Sequence, residues 1–141
     1  MAYKTIFNPK NKDKYVGDVT NIRCRSLWER RFCKYLDENK NITKWGFEIL
    51  SIPYLSAVDN KIHNYIPDFI VETTKESQKM ISIIEIKPKK QTIDPQTKKK
   101  RVSLQECLTY SMNISKWESA TLYCKSRGWT FKILTEKELF K

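Results

Sequence analysis

Two short segments of this chain place charge where a strand should be apolar: Ile66-Pro67-Asp68-Phe69 and Ile83-Ile84-Glu85-Ile86-Lys87. In a strand, residues i and i+2 point to the same side, so the Glu85 carboxylate and the Lys87 ammonium emerge together. Asp68, carried by a neighbouring strand, would bring two carboxylates and a lysine to one place. Two hard oxygen ligands suit Mg²⁺, which usually takes one or two protein carboxylates and completes its shell with water and phosphate oxygens. The lysine would then orient or deprotonate a metal-bound water. This is the minimum apparatus for hydrolysing a phosphodiester.

Each of these residues also has a plainer reading. Along the strand read over 61–72, Ile62, Asn64, Ile66, Asp68, Ile70 and Glu72 share one face, where a bare carboxylate is costly unless paired or metal-bound. A strand-end aspartate satisfied by a lysine is the alternative. On the next strand Ile81, Ile83, Glu85 and Lys87 share a face, and Ser82, Ile84 and Ile86 the other. Apolar residues on both faces mark a strand buried on both sides. Glu85 and Lys87 then lie either at its exit to solvent or at a site on its rim, with Pro88 stopping the strand.

Glu29 is the third carboxylate of interest. Ser26-Leu27-Trp28-Glu29 fits a capping box, in which the N3 glutamate reaches back to the N-cap amide. Ser115-Lys116-Trp117-Glu118 repeats the pattern, and local sequence does not tell the two glutamates apart. Lys87, Lys89, Lys90, Lys98, Lys99, Lys100 and Arg101 form a basic segment relieved only by Asp94. A solvated loop is the default for such a run, but its place just after the carboxylate–lysine pair favours tracking of a nucleic-acid backbone. Arg25 joins this set. His63, opposite in parity to Asp68, is read as structural or as a DNA contact, not as a general base.

The elements needed to position these groups follow from pattern. Ser26 opens a helix in which Trp28, Phe32, Tyr35 and Leu36 recur at helical spacing, and Asn39 to Asn41 end it. Strands are expected at about 44–53, 61–72 and 79–87, with turns at Asp59-Asn60 and over 73–78. A loop runs from Pro88 to about Thr97. A second helical region spans about 98–127, broken near Asn113, and Gly128 stops it. Trp129, Phe131 and Ile133 alternate in a last strand. The order α-β-β-β-α-β predicts an α/β domain over 1–141, a mixed sheet flanked by helices, with residues 1–24 as a basic, extended N-terminal arm.

Composition narrows the partners. At 141 residues, 40% hydrophobic and 12% aromatic, the chain is long enough to bury a core without disulfides or metals. Its formal charge is +11, from 27 basic and 16 acidic residues, which points to a polyanion bound through phosphate contacts. No stretch approaches the ~20 apolar residues of a transmembrane helix, and Met1-Ala2-Tyr3-Lys4 has no signal-peptide core, so no membrane partner is expected. Four cysteines without a CxxC pair argue against structural zinc and a secreted disulfide framework. Cys33, Cys107 and Cys124 read as small buried hydrophobes in helices, in a protein of a reducing, cytosol-like compartment. Trp28, Trp45, Trp117 and Trp129 occupy core-like positions.

Pro67-Asp68 followed by Glu85-Ile86-Lys87 resembles the PD-(D/E)xK nuclease motif. Over nearly its whole length the chain also resembles the head completion proteins of T-even-like tailed phages, regarded as relatives of those nucleases. The shared stretches include Met1-Ala2-Tyr3, Lys14-Tyr15, Gly17-Asp18, Arg25-Ser26, Trp28-Glu29, Lys44-Trp45-Gly46 and Ile52-Pro53-Tyr54. They continue with Asp68-Phe69, the run from Ile84 to Lys90, Thr109-Tyr110-Ser111, Asn113, Lys116-Trp117, Gly128, Phe131 and the run from Ile133 to Glu136. One departure is a shorter loop between Lys90 and Lys98. A more distant likeness is to the endonuclease subunit of heteromeric transposases, which shares the S-x-W-E, P-D-F and E-I-K elements.

The resemblance implies a restriction-endonuclease-like fold in which Asp68, Glu85 and the Ile86 backbone carbonyl hold Mg²⁺, with Mn²⁺ as substitute. It implies that Lys87 positions the attacking water and that Glu29 sits beside the metal. Double-stranded DNA and phage head, portal or neck proteins are the implied partners, and the host cytoplasm during assembly, with the virion head or neck, the implied location. The implied activity is a DNA endonuclease acting in head completion and packaging. Two other readings are a non-enzymatic DNA- or portal-binding head protein that keeps a nuclease fold, and a transposase endonuclease subunit.

Overall fold

In the computed structural model residues 4–98 and 101–140 are described; Lys99 and Lys100 of the basic segment lie outside them. The chain runs β1 (Thr5–Ile6), β2 (Arg23–Cys24), α1 (Leu27–Glu38), β3 (Ile42–Phe47), β4 (Ile52–Leu55), β5 (Ile62–Tyr65), β6 (Phe69–Lys75), β7 (Gln78–Ile86), α2 (Leu104–Arg127), β8 (Thr130–Leu134) and α3 (Glu136–Leu139). Two 3₁₀ turns, Lys89–Thr92 and Pro95–Thr97, fill the loop before α2. Among the described residues no helix is long and apolar enough to cross a membrane.

The central sheet has the order β3-β6-β7-β8. Its first three strands are antiparallel, with Phe47 opposite Phe69 and Phe69 opposite Ile84, and β8 joins β7 in parallel, Glu85 opposite Ile133. A parallel neighbour demands a crossover, and α2 supplies it. β7 is therefore an interior strand, and its apolar second half, Ile83 to Ile86, is buried on both faces as that run predicts. Ile84 and Ile86 pack with Phe32, Cys33 and Leu36 of α1, and Ile83 packs with Trp117, Ala120 and Cys124 of α2.

Each long strand expected before β7 is in fact two. The first divides into β3 and β4 around Glu48, whose φ is 54°. The second divides into β5 and β6, because Pro67 lacks the N–H a ladder needs. β4 and β5 form a separate hairpin. The break cancels the parity argument that set Asp68 among isoleucines: Ile62 and Ile66 are exposed, and Ile70 is the isoleucine that keeps the expected register. The β6–β7 turn is tighter than expected, with Glu76 and Ser77 both at positive φ (52° and 67°) between the paired Lys75 and Gln78.

The two long helices, α1 and α2, are each N-capped by a serine. Ser26 Oγ accepts from Glu29 N at 3.1 Å, and Ser103 Oγ from Glu106 N at 3.1 Å. α2 continues without a break past Asn113, so Ser115 and Glu118 are mid-helix and form no cap. Ser115 Oγ instead donates to Ser111 O at 3.2 Å and accepts from Ala57 N at 3.2 Å. On α1, Cys33 and Asp37 take inward positions while Tyr35 is 53% exposed and stacks on Phe32. Cys24, Cys33 and Cys124 are buried free thiols and Cys107 is half-buried.

Residues 4–24, expected as an extended arm, lie against the core. Phe7, Ile22 and Cys24 are buried with α1 and β3. One charge of each sign, Asp37 and Lys14, is used internally. Asp37, 2% exposed, accepts from Lys10 N and Asn11 N at 2.8 and 3.0 Å. Lys14 Nζ donates to the carbonyls of Leu36, Asp37 and Asn39 at 2.8, 2.9 and 2.9 Å. It closes the C-terminus of α1, which has no basic residue in its own last turn. Charge-assisted bonds to carbonyls and a cation on the negative helix end add up to about 2 kcal/mol. Lys14→Met is expected to lower unfolding stability by about that amount, read from urea titration, and an unchanged midpoint would show that water satisfies these carbonyls equally well.

Candidate active site

The carboxylates expected from sequence do converge. β7 delivers Glu85 on the α2 side of the sheet, and the turn after Pro67 delivers Asp68 beside it. The two are linked through the backbone: Asp68 N donates to Glu85 Oε1 at 3.3 Å, and Ile86 N donates to Asp68 Oδ2 at 2.8 Å. Tyr65 Oη donates to Glu85 Oε1 at 2.7 Å. Lys87 Nζ lies 3.6 Å from Glu85 Oε2, so lysine and glutamate emerge together as the i, i+2 spacing requires. The Lys87 amide donates to Leu134 O at 3.0 Å, holding the end of β7 against β8.

Burial sets the electrostatics. Glu85 is 6% exposed. Desolvation and the adjacent Glu85 charge push Asp68 up to about 8 from 3.8. Burial also raises Glu85, against the opposing Tyr65 hydrogen bond and Lys87 charge. Two carboxylates this close and this dry disfavour double ionisation, so near neutral pH they share a proton or require a cation. Among the described residues no three His, Cys, Asp or Glu side chains gather into a metal-binding group. The donor set is two hard carboxylates, which fits a cation that fills the rest of its shell with water and phosphate oxygens.

Glu29 stands at the edge of the same charge cluster. Burial raises its pKa, and the charges of Glu48 and Glu85 raise it further, against the hydrogen bond from Arg25 N. Its Oε1 accepts from Arg25 N at 2.7 Å rather than from the N-cap amide of Ser26, so only half of a capping box forms. The Arg25 guanidinium pairs with Glu48. Glu29→Gln keeps an acceptor for the Arg25 amide but removes a charge beside Asp68; nuclease activity is expected to fall by about tenfold or more. Glu118→Gln, an exposed change mid-way along α2, is expected to stay within about twofold on the same assay. Equal effects would return Glu29 to a purely helix-capping role.

Three residues at the site escaped the sequence reading. Glu48, held at positive φ, donates its N–H to Asp68 O at 2.8 Å and turns its carboxylate to Arg25. Tyr65 fixes Glu85. Lys116 on α2 places Nζ 5.8 Å from the centre of the Tyr65 ring, and its charge favours ionised Glu85. Only Tyr65 carries a local signal, as the last residue of β5 two positions before Pro67. His63 is far from this chemistry in role: it pairs with Asp59 at 2.7 Å within the β4–β5 hairpin.

The basic segment leaves the site directly. Lys89 and Lys90 are exposed on the first 3₁₀ turn, with the Lys89 amide tied to Glu136 Oε1 at 2.7 Å. Arg101 is exposed, while Lys98 pairs loosely with Glu106 at 3.9 Å.

Residues 39–136 match the family model described as "TnsA-like endonuclease N terminal". The chain is also 39% identical over 145 aligned positions to the "Head completion nuclease" of Enterobacteria phage T4, covering 99% of this chain and 95% of that protein. No solved structure matches. The architecture described above, a mixed sheet between helices with its carboxylates at one rim, is the restriction-endonuclease-like fold of such domains. By the family match, which spans more than half of its length, the chain belongs to the family of TnsA-like endonuclease N-terminal domains.

Proposed function

We propose that this protein is a divalent-metal-dependent DNA endonuclease that acts during completion of the phage head. The observation carrying this reading is the adjoining pair of carboxylates, buried Glu85 and half-buried Asp68, with Lys87 on the rim beside them. Asp68, Glu85 and the Ile86 carbonyl are the oxygens that would hold Mg²⁺, or Mn²⁺ in its place. Such an ion, when bound, supplies Lewis-acid polarisation of a phosphate and acidifies its bound water.

The chain's own groups do the remaining work. Tyr65 holds Glu85 in one orientation through its hydroxyl. Lys87 sets positive charge where negative charge develops on the phosphorus oxygens, and pre-placed charge of this kind lowers a barrier efficiently. Glu29 and Glu48 add negative charge around the pair. Lys89, Lys90, Lys98, Lys99, Lys100, Arg101 and the exposed part of Arg25 supply backbone contacts to double-stranded DNA. Packaging substrates, portal or neck partners, and location in the host cytoplasm during assembly or in the virion belong to this same proposal. Its support is the similarity to the head completion nuclease of phage T4.

Supercoiled plasmid incubated with the protein and Mg²⁺ tests the reading. Nicking or linearisation that disappears in EDTA and in Asp68→Ala is the expected result. Binding of plasmid by both proteins with no cleavage by either would replace the enzyme with a DNA-binding head protein built on a nuclease fold.

A further inference from the structure

A cleft is built from the loop that follows Lys87 and from α2, and of its lining only Lys90 and Lys98 enter the proposed function, as phosphate contacts. It encloses about 440 Å³ between the two 3₁₀ turns that follow Lys87 and the first half of α2. Gln105, Thr109 and Asn113 line it from one stripe of the helix, since residues four apart share a face. Gln105 Nε2 donates to Thr109 Oγ1 at 3.3 Å.

Asn113 is the unusual member of this stripe. It is 7% exposed, and its side-chain amide has no hydrogen-bond partner among the described residues. Among the described residues the buried polar side-chain atoms without a partner are the indole nitrogens of Trp45 and Trp117, not the Asn113 amide, which keeps access to the cleft it lines and there offers a ligand both a donor and an acceptor. The walls narrow the choice of ligand. Ile93, Pro95 and the Tyr110 ring give flat apolar surface, Gln91 adds another amide, and Lys90 sets a cation at the border, as does Lys98 beside its partner Glu106.

Amide side chains reading a heterocycle's edge, an aromatic wall and flanking cations together suit a nucleotide whose base has left the stack. The cleft also adjoins the reaction site along the chain. Its loop begins where Lys87 ends, and Asn113 precedes Lys116, the lysine over Tyr65, by less than one helical turn.

We infer that the cleft between the loop over 88–98 and α2 receives one unpaired nucleotide of the DNA, adjacent to the phosphate that is cut. The protein therefore prefers DNA carrying unpaired bases (a flap, gap or frayed end) over continuous duplex. This inference rests on the endonuclease reading and adds to it the structure of the preferred substrate.

The test uses two synthetic duplexes that differ in one unpaired 2-aminopurine nucleotide, with Ca²⁺ in place of Mg²⁺. Fluorescence anisotropy is expected to show at least tenfold tighter binding of the duplex with the unpaired base. Emission from that base should change on binding as it enters the cleft. Tyr110→Ala and Asn113→Ala are expected to reduce the preference to under threefold. Should Asn113→Ala fail to fold by circular dichroism, Gln105→Ala on the exposed first turn of α2 replaces it, with the same expectation.

Equal affinity for the two duplexes with unchanged emission would overturn the inference while Mg²⁺-dependent plasmid cleavage still upheld the endonuclease. Failure to bind either duplex, with no plasmid cleavage, would overturn both.

Discussion

Asp68→Asn is expected to stabilise the metal-free protein at pH 8 while abolishing plasmid cleavage. The carboxyl of Asp68 sits at about 8 when folded against an ordinary 3.8, so the folded chain holds its proton more tightly than the unfolded one. Stability then falls as pH rises between those values, because the unfolded state gains more from ionisation. The stability tied to this proton is fully present below pH 4 and is lost as pH climbs through 8. At about 1.4 kcal/mol per unit, the effect at pH 8 amounts to several kcal/mol at most, and the like-signed rise at Glu85 adds to it.

In EDTA the melting temperature of wild type should decline from pH 5 to pH 8. Asp68→Asn, with no proton to lose, should show a much flatter profile and melt higher at pH 8. Mg²⁺ should restore wild type most at the alkaline end and leave the variant unmoved. A variant less stable than wild type at every pH would mean that Asp68 is held by its hydrogen bond from Ile86 more than it is strained by Glu85.

Lys87→Ala carries the other large effect. Its ammonium stands 3.6 Å from Glu85 Oε2 with 28% of the side chain exposed, a partly desolvated position in which its charge would count in the proposed reaction. Loss of a preorganised charge in such a setting typically costs about 10²–10³ in rate, and single-turnover cleavage is expected to fall at least that far. DNA affinity should drop by no more than about fivefold, since Lys87 is one cation among many phosphate contacts. Lys87→Arg should not rescue the rate, because a planar guanidinium fork differs in shape and hydration from a compact ammonium. Parallel losses of rate and affinity would instead make Lys87 a phosphate anchor.

These charges were legible in the sequence to different degrees, for physical reasons. Glu85 and Lys87 lie on a strand whose two apolar faces announce its burial, and an i, i+2 spacing survives any tertiary arrangement. Asp68 was placed correctly beside them although the strand expected to carry it is broken at Pro67; its link to Ile86 and Glu85 depends on the β6–β7 pairing, which the intervening turn sets locally. Glu48 and Lys116 come from a positive-φ corner after β3 and from the middle of α2. Only packing brings them near, and no local pattern records it. The repeated S-x-W-E motif shows the opposite hazard. Around Ser26 it starts a helix, whereas Ser115 and Glu118 are carried along inside α2, whose true cap is Ser103.

The parallel pairing of β7 with β8 also bears on the order in which the molecule assembles. The β6–β7 hairpin needs only a two-residue turn and forms among neighbours in the chain, but β8 meets β7 only across the whole of α2. Contacts separated by a long loop form late. The rim where the Lys87 amide binds Leu134 and the Lys89 amide binds Glu136 is therefore among the last parts to close. During synthesis the nascent chain carries Asp68 and Glu85 for some 50 residues (on the order of several seconds at ribosomal rates) before the strand that steadies them has left the ribosome. The carboxylate site is thus completed with the final stage of folding rather than with the hairpin that bears the carboxylates.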